Sequence, residues 1–279
     1  MRILILGSQG MLGRALAREF ADQDLTNWDR DHLDITDEHA VAEHLPMLAP
    51  DLVVNAAAYT DVEKAEDEPE EADAVNGHAV GNLAVTCADI NIPLLHVSTD
   101  YVFDGKKESG YVENDEPRNA LSAYGRSKLL GETLLRDIGK NFWLVRSAWL
   151  FGPLGKHFVD KILQRAATES HLRVVGDQHG SPTAAVDLAR AIKELVTDRA
   201  PFGIYHLVNS GTATWADLAE TTLLLTGKNV QVERIPASAY PLKAARPTWS
   251  VLKNTKRPPL RPWQEALADY IRVRQEARA

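Results

Sequence analysis

The chain opens on Arg2-Ile3-Leu4-Ile5-Leu6 and runs at once into Gly7-Ser8-Gln9-Gly10-Met11-Leu12-Gly13. No other stretch constrains the fold as strongly. An apolar run that ends in G-x-x-G-x-x-G, followed by apolar residues at helical spacing over Met11–Phe20, reads as a buried strand, a tight turn and a helix. Glycines there let the chain reverse sharply. They also leave backbone N–H groups at a helix N-terminus open to a pyrophosphate. With so few residues ahead of a glycine turn no signal peptide is expected, and no later apolar run reaches membrane length.

The same alternation continues along the chain. Asp51–Ala57 and Pro93–Thr99 read as buried strands, Glu68–Asp89 as one long helix, Ser122–Arg136 as a helix and Phe142–Ser147 as a further strand. Leu172–Val175 and Ile204–Val208 are candidates for strands further out. Continuous apolar strands alternating with helices predict an α/β fold: a Rossmann-type, doubly wound parallel sheet covered on both faces. After Leu150 the pattern loosens into a smaller, mixed C-terminal lobe. The expected division is a dinucleotide-binding domain over residues 1–150, with roughly 171–198 returning to it, and a substrate lobe over most of 151–279.

Of the 279 residues, 44% are hydrophobic and 25% charged, so a folded globular chain is expected rather than disorder. The net charge of −8 argues against non-specific nucleic-acid binding. A single cysteine, Cys87, allows neither an internal disulfide nor a cysteine zinc site, which suits a reducing cytoplasm. The nine histidines have no ligand spacing and are read as structural, with no metal expected.

A dinucleotide site wants a carboxylate about 20 residues past the glycines to hold ribose hydroxyls. Asp29 stands there. Arg30 follows directly and suits the 2′-phosphate of NADP instead, so NADH against NADPH stays open. Thr36 is the expected cap of the next helix, and Ile35, after Asp34, is placed to cover an adenine face. The small residues of Asn55-Ala56-Ala57-Ala58-Tyr59-Thr60 leave room for a flat cofactor at a strand end.

A second constellation carries the chemistry. Ser98-Thr99-Asp100 closes a strand, and Tyr124-Gly125-Arg126-Ser127-Lys128 is Y-x-x-x-K early in a helix that Ser122 can cap. Tyrosine and lysine four apart share one helix face. A carbonyl that accepts a hydride needs a proton donor and hydrogen bonds that strengthen as charge grows on its oxygen. A free tyrosine ionises near pH 10, and a neighbouring ammonium favours the phenolate. Tyr124 is thus the expected acid, Lys128 the charge that lowers its pKa, and Thr99 a second donor to the oxygen. The hydride itself must come from a nicotinamide.

With NAAAYT, STDYVF, YGRSK, RSAWLFGP, DQHGSPT, GIYHLVNSGTATW and AARPTWSVL, the chain resembles an extended short-chain dehydrogenase/reductase, and more narrowly the dTDP-4-dehydrorhamnose reductase family, over nearly its whole length. The resemblance implies NADPH- or NADH-dependent reduction of dTDP-4-dehydro-L-rhamnose to dTDP-L-rhamnose, which supplies rhamnose for surface polysaccharide. It implies that Tyr124, Lys128 and Thr99 are catalytic. Cofactor contacts map to Gly7, Gly10, Met11, Leu12, Gly13, Asp29, Asp34, Ile35, Ala58, Tyr59, Thr60 and Val97, besides Tyr124 and Lys128. Sugar-nucleotide contacts map to Thr99, Asp100 and Trp149, with Arg246 facing the diphosphate, and Asn76 takes the place of a structural asparagine beside the site. Some members dimerise through a glutamate-held metal, but Ala15 occupies one of those positions here, so a monomer or weak homodimer is expected. Dehydratases on this fold resemble Thr-Asp-Glu where this chain has Thr99-Asp100-Tyr101, which leaves elimination without its base. A regulatory subunit of the methionine adenosyltransferase type is the non-catalytic alternative, disfavoured by the presence of Thr99, Tyr124 and Lys128.

Overall fold

The computed structural model describes residues 1–155 and 157–276. Its centre is a six-stranded sheet built from β1 (Arg2–Leu6), β2 (Asp24–Trp28), β3 (Leu52–Asn55), β4 (Leu94–Thr99), β5 (Phe142–Ser147) and a last strand, Gly203–His206. Across the sheet the order is β2, β1, β3, β4, β5 and Gly203–His206, and every pairing is parallel. From β1 the chain moves outward to β2 and then returns to the other side of β1. The carboxyl ends of β1 and β3 therefore flank the crevice where open α/β sheets bind ligands.

Alternate side chains of β1 show why the sheet needs two covers. Ile3 and Ile5 pack with Leu12, Leu16 and Phe20 of the segment containing α1 (Met11–Glu19) and with Leu188 and Ile192 of α7 (Ala185–Thr197). Leu4 and Leu6 face the opposite way. They join Val41 and Leu45 of α2 (Glu38–Leu48), Leu83 of α4 (Ala79–Asp89) and Leu135 of α5 (Ala123–Ile138). Burial on both faces is what a run of apolar residues with no polar alternation requires.

The smaller lobe gathers α6 (Phe158–Arg165), α8 (Trp215–Leu225) and α9 (Trp263–Glu276). Phe151, Trp263 and Tyr270 lie in one of its clusters, and Leu172, Val174 and Leu223 in another. His171–Val175 pairs in parallel with Gln231–Ile235 in a separate two-stranded sheet, so Leu172–Val175 does not extend the main one. Within 171–198 it is α7 that lies against the main sheet, packed on α1. The strand after it, Gly203–His206, pairs with β5. Among the described residues no helix is long and apolar enough to cross a membrane.

The segment expected as one helix over Glu68–Asp89 is instead α3 (Pro69–Asp73), a π-turn at Ala74–His78 and α4. The extra residue in the turn is stabilised from outside the helix. Asn76 Oδ1 accepts from the Tyr59 backbone N–H at 2.9 Å, and Asn76 Nδ2 donates to the Tyr59 carbonyl at 2.9 Å and to Ser127 Oγ at 3.0 Å. Single π-turns of this kind concentrate at functional sites.

Candidate active site

One cleft of about 890 Å³ runs along the carboxyl edge of the sheet and into the smaller lobe. Its floor at one end is the glycine turn. Gly7 has φ +74° and its N–H donates to the Trp28 carbonyl at 3.0 Å, while a Cβ on it would lie 2.6 Å from the Ala57 nitrogen. At Gly13 a Cβ would lie 2.1 Å from the Gly7 carbonyl oxygen, so α1 closes onto the turn only with glycine there. No side chain caps the N-terminus of α1 at Gly10. Its first N–H groups are thus left for an anion, which is what a pyrophosphate needs.

Gly7, Gly10, Met11, Leu12, Gly13, Asp29, Asp34, Ile35, Ala58, Tyr59, Thr60, Val97, Thr99, Tyr124, Lys128 and Trp149 all line this cleft. Asp100 and Arg246 do not. Asp100 is buried behind Thr99, whose Oγ1 donates to Asp100 Oδ1 at 3.0 Å, and burial pushes its carboxyl up to about 7. Arg246, expected at the diphosphate, instead forms an ion pair with Glu63 at 2.6 Å and donates to the Ala244 carbonyl. The guanidinium is thus paired with a carboxylate.

At the outer end, Asp29 Oδ2 accepts from Ser8 Oγ at 2.6 Å and from the Gln9 N–H at 2.8 Å, so this carboxylate braces the glycine turn. Arg30 pairs with Asp34 at 3.0 Å and stays largely exposed. Thr36 does not cap α2. Its hydroxyl donates to Asp34 Oδ1, holding the Asp34 carboxyl below its usual range, and Asp37 caps α2 by accepting from the Ala40 N–H at 3.0 Å.

Thr99 ends β4 and Tyr124 lies in the first turn of α5. Ser122 caps that helix as expected, its Oγ accepting from the Gly125 N–H at 3.0 Å. The Thr99 and Tyr124 side chains face the same cleft. Burial pushes the phenol up to about 12, partly offset by the nearby Thr99 hydroxyl. The Lys128 amine is hydrogen-bonded to β4 rather than to the phenol. Lys128 Nζ donates to the Val97 carbonyl at 2.7 Å and lies 3.2 Å from His96 Nε2. Burial pushes Lys128 down to about 8, against the opposing pull of Glu132. Glu132 is itself paired with Arg146 at 2.7 Å, and both are fully buried.

At the inner end Trp149 adopts φ +47° and lies flat on Trp215, with ring centroids 3.5 Å apart and planes 4° apart. The buried Trp149 Nε1 has no partner. Trp215 also lines the cleft, at a position no sequence motif singles out as a site residue. Its signal was Thr214 directly before it, which with Asp217 makes a capping box and so places Trp215 at the first position of α8. His96, expected to be structural, lies against Lys128 as the lone polar residue in Leu94–Val97.

The family model described as RmlD substrate binding domain matches residues 1–275. The chain belongs to the RmlD family of dTDP-4-dehydrorhamnose reductases. The Streptomyces griseus dTDP-4-dehydrorhamnose reductase is 40% identical, over 96% of this chain and 92% of that protein. Among solved structures, a dTDP-4-dehydrorhamnose reductase from Clostridium acetobutylicum superposes with a TM-score of 0.95 at 35% identity, over 99% of this chain and 100% of that one. The Bacillus anthracis reductase, solved in complex with NADP, gives 0.93 at 30% identity, over 98% of this chain and 99% of that one. RmlD relatives are oxidoreductases, and the chain is an enzyme of that class.

Proposed function

We propose that this enzyme reduces the 4-keto group of dTDP-4-dehydro-L-rhamnose to give dTDP-L-rhamnose, using NADPH or NADH. The observation that carries the reading is one cleft holding an uncapped helix N-terminus at one end and Thr99, Tyr124 and Lys128 together further in. The glycine turn fits a dinucleotide because a Cβ at Gly7 or Gly13 would collide with backbone. A bound nicotinamide supplies the hydride.

The chain's own residues do the rest. Tyr124, protonated throughout the neutral range, donates its proton to the keto oxygen as charge develops there. Thr99 holds that oxygen by a hydrogen bond that strengthens along the way. Lys128, charged below about pH 8, stabilises the phenolate that Tyr124 leaves behind. Trp149, backed by Trp215, offers a flat apolar wall to a deoxysugar. Ala15 packs in the core beside the sheet, and a monomer or weak homodimer is the proposed state.

The test is loss of nicotinamide absorbance with each cofactor against a panel of 4-keto sugar nucleotides. Turnover with dTDP-4-dehydrorhamnose is expected, and Tyr124→Phe is expected to slow it by about 10²–10⁴. An unchanged rate in that variant would remove Tyr124 as the acid.

A further inference from the structure

Behind Lys128 lies a fully buried polar pair that the proposed chemistry does not use. Asn55 ends β3, His96 lies in β4, and the two are direct register partners in the sheet. Their side chains lie on the face that α5 covers. Asn55 Oδ1 accepts from the Ala57 N–H at 3.1 Å, which fixes the orientation of the amide. Asn55 Nδ2 is therefore the group turned to His96 Nδ1, 3.1 Å away. An amide NH₂ only donates, so Nδ1 must accept and carries no proton. A neutral imidazole then has its single proton on Nε2, and Nε2 lies 3.2 Å from Lys128 Nζ.

An N–H aimed at an amine nitrogen has a direct consequence. A neutral amine accepts it through its lone pair, whereas an ammonium has no acceptor to offer and meets a like dipole. The alternative tautomer would turn an imidazole N–H toward the Asn55 NH₂ group, and the Ala57 N–H blocks the amide flip that would relieve it.

We propose that Asn55 and His96 act as a tautomer clamp, positioning residues that hold an N–H against Lys128 and so set the balance between its amine and ammonium forms. Other groups facing this corner are Glu132 on α5, paired with Arg146 of β5, and Tyr124 and Asp100 beside the cleft. Glu132 favours the ammonium, so the clamp opposes it. Burial, with the Lys128 charge beside it, keeps His96 neutral, well below its ordinary range, which leaves the tautomer as the variable. The proposal rests on Lys128 serving the reductase reaction.

The test reads Lys128 directly. In protein carrying ¹³C-labelled lysine, the Lys128 Cε resonance is titrated without substrate or cofactor, with Lys128→Met for assignment. His96→Phe removes the N–H. Asn55→Asp presents only acceptors to Nδ1, so it draws the imidazole proton there and turns an Nε2 lone pair to Lys128. Both variants should raise the Lys128 midpoint by on the order of one pH unit, the size a contact-distance group produces. The alkaline limb of turnover should move with it. Long-range ¹H–¹⁵N spectra of the unaltered protein should show His96 protonated on Nε2 alone, which tests the clamp even if a variant fails to fold. A proton on Nδ1, or an unmoved midpoint in both variants, overturns the clamp while leaving turnover intact. Correct midpoints in a chain that reduces no 4-keto sugar would instead overturn the proposed function and leave the clamp standing.

Discussion

Replacing Gly131 by alanine tests how the reacting side chains are held. Gly131 lies in α5, one turn beyond the Tyr124–Lys128 segment, where the helix crosses the π-turn at Ala74–His78. A Cβ there would stand 2.1 Å from the Asn76 carbonyl oxygen, and contacts below 3.0 Å are essentially never tolerated. The partner atom is backbone, anchored by the Asn76 amide to Tyr59 and Ser127, so it cannot swing aside. Helix α5 must therefore retreat by about 1 Å, an overpacking that costs about 1–3 kcal/mol. The same shift carries Tyr124 and Lys128 away from Thr99, and a misplacement of about 1 Å costs on the order of 10²-fold in rate. Denaturant unfolding measures the first effect and kcat for the 4-keto sugar the second. Gly81→Ala is the matched control on α4, because its Cβ would meet a movable Leu134 methyl at 3.2 Å. That variant should stay within about 0.5 kcal/mol and keep its rate. Wild-type stability and turnover in Gly131→Ala would refute the claim that close backbone contact sets the site.

Three further outcomes are expected. Asp29→Ala frees Ser8 and the Gln9 N–H, and should raise KM for both nicotinamides with little change in the KM for the sugar nucleotide. Trp215→Ala removes the ring beneath Trp149, and should raise the sugar-nucleotide KM while nicotinamide affinity measured by fluorescence titration holds. Lys128 ionises near pH 8 in the fold against an ordinary 10.5. Between those values the unfolded chain binds the extra proton, so this group's contribution to stability grows as pH rises through that window and is lost as pH falls through about 8. Denaturant unfolding at a series of pH values should show that slope, and Lys128→Met should flatten it.

The parts legible in the sequence are those decided over short distances. A glycine that must adopt φ +74°, a strand apolar on both faces, a serine cap at Ser122 and a tyrosine and lysine four apart are all local facts, and each is in place. What stayed hidden was decided by partners far along the chain. Asn76 opens a π-turn because Tyr59 and Ser127 lie beside it. Arg246 pairs with Glu63, a partner far along the chain. His171–Val175 joins Gln231–Ile235, a pairing no local pattern indicates. Thr36 and Asp37 are both good caps by residue type, and the choice fell to Asp37 because Asp34 had already claimed the threonine hydroxyl.

The return of α7 and of Gly203–His206 to the main sheet bears on how such an enzyme can be recombined. The half that holds the glycine turn is not one uninterrupted stretch of gene. Cutting the chain after β5 would strip Leu188 and Ile192 from the face of Ile3 and Ile5 and leave β5 as a bare edge. A chimera that exchanges sugar preference must therefore graft separate insertions onto a kept scaffold, and cannot splice one contiguous cassette for another.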